Sequence, residues 1–274
     1  MPSRPLSHTG GQAPITIVDA FADGPFTGNP AAVVVLESDA SAAWMQSVAM
    51  EMNQAETAFV RRISDDAWSL RWFTPLAEVD LCGHATLGTA HALWESGASD
   101  EATIAFDTRS GRLTAGRESG GMIVLDFPAI ASTRTEPPPS CRDVLGVEPD
   151  EVLMGAFDLL VVLPDADAVR RLAPDLARIA AWPVRGVLVT APGASDGVDF
   201  VSRCFFPSLG VPEDPVTGSA HCALAPWWAG QLHKADLVGV QLSRRGGRVG
   251  CRVVGERVEL RGRAVTTVRG SLTV

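Results

Sequence analysis

The chain of 274 residues has no long hydrophobic run. Its longest purely apolar stretches, such as "AAVVVL" and "LLVVL", are strand length, so no window reaches a membrane span. The opening "MPSRPLSHTGGQA" has no apolar h-region; no secretory signal is read there, and residues 1–13 are expected to form a flexible leader. Positive charge is in deficit, with 23 Lys+Arg against 32 Asp+Glu and a formal charge of −9. That balance, with the basic residues spread along the chain, argues against nucleic acid or an anionic membrane as partner. Histidine is scarce, at five, and no HxxxH or HExxH occurs, so no metal site is expected. The five cysteines are odd in number and form no CxxC pair, which reads as reduced thiols in a cytoplasmic protein. What is present is core material. Hydrophobic residues make up 46%, enough for one large domain or two medium ones.

"ITIVDAF" (15–21) alternates like a strand, "FTGNP" is turn chemistry, and "AAVVVL" (31–36) reads as a buried strand. Asp39 and Ser41 offer N-caps for a helix in which Trp44, Met45, Val48, Ala49 and Met52 form one apolar stripe. "ETAFVRRI" and "WSLRWFTP" follow as strands, then "LCGHATLGTAHALWESG" (81–97) as a helix with small residues on several sides. Such a helix is usually surrounded by protein. "ATIAFDT" and "GMIVLDFP" complete a first domain over 14–128, and the polar, Pro-rich "ASTRTEPPPS" (131–140) reads as a linker. In the second domain, 129–262, "DADAVRRLAPDLARIA" is an amphipathic helix broken near Pro174. "GSAHCALAPWWAGQL" (218–232) is a second small-residue helix, which Pro226 should end or kink.

The two small-residue helices repeat a theme. Each follows an acidic turn and starts on a glycine, "DLCGHATLGTAHAL" against "DPVTGSAHCALAPW". Aligning Gly83 with Gly218 pairs His84 with Ser219. This suggests two pseudo-symmetric α/β domains with both helix starts at one cleft. A helix start offers free backbone N–H groups and the positive end of a dipole, and glycine lets a carboxylate approach them. Tight packing alone would also explain each glycine.

"FTGNPAAVV", "NQAETAFV", "LRWFTPLAEVDLCGHATLG" and "EDPVTGSAHCALAPWW", in this order, resemble the PhzF family of phenazine-biosynthesis-type isomerases, within the diaminopimelate-epimerase-like superfamily. The resemblance runs along most of residues 15–273. It implies an α/β (α+β) fold of two similar domains, each a β-sheet wrapped around a central helix, with the final strand, 263–274, returning to the first. It implies catalysis without metal or organic cofactor, on a small carboxylic acid, in a homodimer. Related epimerases place a thiol on each side of the substrate carbon. Cys82 resembles the first thiol, whereas Val216 or Thr217 stands at the second, and Cys222 lies about one turn into its helix. Cys222 therefore reads as a structural thiol.

With the second thiol missing, the resemblance assigns proton transfer to Glu56 of "NQAETAF", taking a proton from one carbon and returning it to another on the same face. His84 is expected to polarise the substrate or pass protons, and Asp214 to assist from a polar substituent. Gly83, Gly218, Ser219 and Asn29 are expected to bind substrate. Each has a plainer alternative: turn or cap for Asp214 and Asn29, backbone bonding for His84, self-capping for Ser219. Arg203 is a charge near the same segment. His91, His221, His233 and the Trp227–Trp228 pair read as packing. Three competitors stay open. One is an amino-acid racemase or epimerase using Cys82. Another is a non-catalytic protein that binds a small acid. The third is a hydrolase through Cys82 and His84, for which no orienting third group is evident.

Overall fold

Local chemistry sets the first elements of the chain. The computed structural model describes residues 12–273; residues 1–11 of the expected leader lie outside the described residues, and Gln12 and Ala13 already belong to a strand. Strands β1 (Gln12–Ala20) and β2 (Asn29–Leu36) are joined by a loop that ends at Gly28, with φ +68. Helix α1 (Ala42–Met52) starts where the Ser41 hydroxyl accepts from the Trp44 N–H, so Ser41 rather than Asp39 is the cap. It ends at Asn53, whose left-handed backbone turns the chain straight into β3 (Glu56–Arg62). Trp44, Met45, Val48 and Ala49 of α1 pack with Phe59 and Phe73 over the sheet.

Next come β4 (Trp68–Phe73), β5 (Glu78–Val79), α2 (Gly83–Glu95), β6 (Thr103–Thr108), β7 (Gly111–Arg117) and β8 (Ile123–Pro128). The chain continues through β9 (Thr133–Arg134), α3 (Cys141–Leu145), β10 (Glu151–Met154), β11 (Asp158–Val162), α4 (Ala166–Arg171), α5 (Leu176–Ala180), β12 (Gly186–Pro192), β13 (Phe200–Phe206) and β14 (Val211–Asp214). It ends with α6 (Gly218–Leu232), β15 (Asp236–Gln241), β16 (Gly247–Val254), β17 (Arg257–Gly262) and β18 (Ala264–Thr273).

These elements fall into two units, residues 12–125 with 262–273, and residues 126–261. In the first, β1–β2 is antiparallel, β2–β3 parallel, β3–β4 antiparallel, β4–β6 parallel, and β6–β7 and β7–β8 antiparallel. In the second, β10–β11, β11–β12, β12–β13, β13–β15, β15–β16 and β16–β17 repeat the same sequence of orientations. Short β5 pairs with β4 as β14 pairs with β13, and β18 borders β1 as β9 borders β10. The fold is thus mixed α/β and internally repeated, with α2 packed on β1, β2 and β3 of the first unit and α6 on β15 and β16 of the second.

Helix α2 is buried from His84 to Ala90, and α6 from Gly218 to Ala225 apart from Ser219. The expectation that Pro226 could end α6 is corrected: the helix runs on to Leu232. Proline leaves the carbonyl four residues earlier without its usual donor, and here the Ile130 N–H fills that place, 2.9 Å from the Cys222 oxygen. The break near Pro174 is real and separates α4 from α5. Three strands, β7, β10 and β14, have no alternating apolar signal and were not anticipated. The segment read as a linker contains β9, paired to Leu153–Met154.

Candidate active site

In the first unit the left-handed turn at Asn53 delivers Glu56 as the first residue of β3, opposite Ala31 of β2. Its carboxylate Oε2 lies 3.1 Å from His84 Nε2, the second residue of α2. The contact is one of charge, because Nε2 makes no aligned hydrogen bond. The other ring nitrogen, Nδ1, is 3.2 Å from Asn29 Nδ2 and 3.5 Å from Cys82 Sγ. An amide nitrogen can only donate, so Nδ1 accepts and the ring proton of the neutral form sits on Nε2, facing Glu56. Asn29 is fully buried, His84 and Cys82 nearly so, while the Glu56 side chain keeps 19% of its surface exposed. The carboxylate is therefore the member of the group open to a ligand. Asn29, expected to bind substrate, is buried with its side-chain nitrogen against the His84 ring.

Burial opposes charge on His84, but the sulfur and the Glu56 carboxylate outweigh it and lift the ring pKa well above its ordinary value. Burial pushes the Cys82 thiol up, and Glu56 adds to that, with His84 offsetting only part. Gly83 opens α2 after Cys82, and no side chain caps this helix start. Its first N–H groups have no intrahelical acceptor.

Glu56, Cys82 and His84 present donor atoms within 4.8 Å of one another. They do not converge as a metal site does: Glu56 lies at Nε2 and Cys82 at Nδ1, and the lone pairs of those two nitrogens diverge. One ion bound to either nitrogen would gain one of the other two ligands, not both.

The second unit holds Asp214, Gly218 and Ser219. Thr217 precedes α6 as Cys82 precedes α2, so threonine stands where a second thiol would be. Its hydroxyl donates to Asp214 Oδ2 at 2.5 Å, and its N–H donates to Oε1 of the fully buried Gln241 at 2.9 Å. Gln241 Nε2 in turn donates to the Asp214 carbonyl at 2.6 Å. Ser219 Oγ accepts from Arg185 Nη2 at 3.2 Å. Arg185 is paired with Asp158 through two bonds of 2.8 and 2.5 Å and lies over the Phe157 and Phe206 rings. Arg203 of β13 is bound to Glu213 of β14 and to the Leu172 carbonyl at the end of α4. Cys222 is pushed by burial up to about 12, which fits a structural thiol. His221 is buried, donates to the Thr217 carbonyl, and is lowered by burial to about 4. Trp228 stacks on Phe200 in the core, and the half-buried Trp227 packs edge-on against Trp228.

Sequence reasoning missed Arg185, Asp158 and Gln241. The internal repeat held the signal for Arg185. Glu56 begins β3 opposite Ala31, and Gly186 begins β12 opposite Asp158, so Arg185 stands one residue before the counterpart of Glu56.

The two repeated α/β units, each with its glycine-led helix, define the fold. A hydroxyproline epimerase from Agrobacterium vitis shares that fold, with a TM-score of 0.61 at 12% identity over 96% of this chain and 93% of that one. The sequence model described as phenazine biosynthesis-like protein, PhzC-PhzF, matches residues 18–270, and the chain belongs to that family. An uncharacterized isomerase from Halalkalibacterium halodurans is 46% identical, covering 94% of this chain and 98% of that protein. A crystal structure of a PhzF-family protein from Enterococcus faecalis superposes with a TM-score of 0.92 at 43% identity, over 96% and 100% of the two chains. The protein is an isomerase of this family. Among the described residues no helix is long and apolar enough to cross a membrane.

Proposed function

We propose that the protein isomerises a small carboxylic acid by moving hydrogen between two of its carbons, with Glu56 as the acid and base. The observation that carries this reading is the contact between the partly exposed Glu56 carboxylate and Nε2 of the buried His84. In an unsaturated acid, Glu56 takes a proton from one carbon, the electron pair of that C–H bond shifts the double bond by one position, and Glu56 returns the proton to the far carbon. The sequence conserves atoms and electrons and asks for no organic cofactor. His84 steadies the carboxylate through its Nε2 proton. The uncapped start of α2 at Gly83 offers N–H groups to developing negative charge. Substrate binding is the role we assign to Gly218 and Ser219, and assistance in proton movement to Asp214. A homodimer is part of the same proposal, checked by the solution mass from light scattering.

The test is deuterium incorporation from D2O into a panel of small unsaturated and cyclic carboxylic acids, followed by mass spectrometry. Glu56→Gln should lower the rate by about 10²–10⁴-fold, the usual contribution of a positioned acid–base group. Incorporation that proceeds unchanged in Glu56→Gln overturns the reading. The contact of Cys82 with the same ring favours one second reading, an amino-acid racemase or epimerase. Exchange at an amino-acid α-carbon that survives Glu56→Gln and vanishes in Cys82→Ala would establish it.

A further inference from the structure

Among the described residues, five other than glycine have a left-handed backbone. Asn53, Ser140 and His233 stand at the ends of helices. Phe21 and Phe26 share one loop, between β1 and β2. Phe21 has a packing reason: its ring is buried against Gly262, where a Cβ would lie 2.3 Å from it. Phe26 has no such reason, since it is 75% exposed. It is the third residue of the turn Gly24–Thr27, closed by the Thr27 N–H on the Gly24 carbonyl at 3.4 Å. Proline suits the second place of such a turn, and a positive φ at the third is the place for glycine. Phenylalanine there, at φ +67, is strained. The loop is tied down nonetheless. The buried Asp19 carboxylate accepts from the Phe26 N–H at 2.7 Å, the Thr27 hydroxyl donates to the Gly24 carbonyl at 2.7 Å, and the Ala22 N–H donates to the Arg263 carbonyl at 3.1 Å. A fixed turn thus holds an aromatic ring out in water, although both the backbone and the exposed ring are unfavourable.

The turn lies at the Glu56 end of its sheet. Phe26 precedes Asn29 by three residues, at most about 11 Å of backbone, and Asn29 Nδ2 is 3.2 Å from the His84 ring. Strands β2 and β3 are parallel, with Glu56 opposite Ala31, so the loop before β2 and the start of β3 share one end. Strand β4 runs the other way, with Phe73 opposite Thr57, so the turn after it brings Leu76, 78% exposed, to the same end. Leu81, 42% exposed, directly precedes Cys82. Exposed apolar side chains gathered in this way mark a binding surface. We propose that Phe26, together with Leu76 and Leu81, binds the apolar body of the substrate acid, and that this body is a planar unsaturated or aromatic group. A phenyl ring takes such a group by offset or edge-on stacking. A ring already fixed in place loses little freedom when the ligand arrives. The inference rests on the reading of Glu56 as the group that acts on a small carboxylic acid, and adds what that acid carries.

The probes are but-3-enoate and 4-phenylbut-3-enoate, which share the allylic acid and differ by the ring. Each is titrated calorimetrically into the full-length protein at neutral pH. The phenyl acid should bind at least about tenfold more tightly. Phe26→Gly should cut that preference to about threefold or less. The same substitution relieves the turn, so the urea midpoint should be unchanged or higher. Equal affinities in the wild type, no binding of either acid, or a preference retained in Phe26→Gly overturns the proposal. A lowered midpoint overturns it as well, by making Phe26 structural. So does a changed solution mass by light scattering, which would make Phe26 a contact between copies of the chain. Deuterium uptake from D2O into the same two acids separates this inference from the role of Glu56. Uptake that persists in Glu56→Gln would end the hydrogen-transfer reading and leave the ring preference standing. Uptake lost in Glu56→Gln, with no ring preference, would do the reverse.

Discussion

The two units place different chemistry on the same frame. At the start of α2, the second helical residue is His84, and the side chain reaching it from the head of the next parallel strand is the carboxylate Glu56. At the start of α6, the second helical residue is Ser219, and the side chain reaching it, from one residue before the matching place, is the guanidinium Arg185. One unit gathers groups that change protonation easily, the other a group that never does. Arg185 is neutralised by a partner, Asp158, that keeps only 4% of its surface exposed. Glu56 is left with one histidine and open space. A repeated fold thus carries titratable side chains at one helix start and a fixed ion pair at the other, and the difference lies in side chains rather than in topology.

The largest break in that contrast should come from Arg185→Ala. It would leave the Asp158 carboxylate buried without its cation. Losing one partner of a buried pair costs about 3–5 kcal/mol, and since the Arg185 side chain is 32% exposed the lower end, about 3 kcal/mol, applies. Urea unfolding measures it, with hydrogen exchange to place the loss in residues 126–261. Arg185→Lys should recover only part, since an ammonium cannot make both bonds to Asp158 or stack on the Phe157 ring. Glu56→Gln, whose side chain is one-fifth exposed, should change stability far less. Equal costs for the two substitutions would erase the distinction between the units.

The cap carbonyls give a second contrast of similar size. Thr86 donates to the Cys82 carbonyl at 2.6 Å, and His221, at the matching position of α6, donates to the Thr217 carbonyl at 2.8 Å. Both satisfy a carbonyl at a helix start, but only His221 titrates. Burial lowers its pKa from 6.5 to about 4. The unfolded chain therefore takes up a proton below about pH 6.5 that the folded protein refuses until about pH 4. Stability is fully present above that range and falls as the pH drops through it, by about 3 kcal/mol at pH 4. His221→Thr copies the first unit and should remove this slope between pH 6.5 and 4, whatever it costs in packing at neutral pH. Parallel stability curves for wild type and variant would show that His221 does not carry the acid sensitivity.

How much of this was legible in the sequence follows from which interactions are local. Ser41, Asn53, Gly83 and the alternation of "ITIVDAF" act within a few residues, so caps, turns and most strands could be read directly. Glu56 and His84 were reached through motif resemblance, and their meeting depends on a parallel pairing of β2 with β3 that no local pattern encodes. Arg185 and Gln241 were invisible because their partners lie 34 and 24 residues away, at Ser219 and Thr217. Pro226 misled for a related reason: the donor that makes it tolerable, Ile130, is remote in sequence. Strands β7 and β14 are largely polar or short, and their pairing comes from neighbours rather than from their own periodicity.

The smallest effect tests whether the repeat extends to packing inside the central helices. Gly88 lies five residues after Gly83, and the residue five after Gly218 is Ala223, so one helix has already made the exchange that the other has not. A Cβ placed on Gly88 would sit 3.5 Å from Val18 Cβ, 3.6 Å from Val18 Cγ1 and 3.9 Å from Ala31 Cβ, ordinary van der Waals contacts. The contrast within the protein is Gly239, where a Cβ would lie 2.5 Å from the Phe200 ring and 3.0 Å from His221 Nε2. Glycine in a helix interior costs about 1 kcal/mol relative to alanine, mostly in backbone entropy of the unfolded chain. With room available, Gly88→Ala should raise stability by about 1 kcal/mol, seen as a higher urea midpoint at unchanged slope. Gly239→Ala should lower it. A loss of stability in Gly88→Ala would mean that α2 lies closer to β1 and β2 than these contacts allow, and that the small residues of the two helices meet different packing demands.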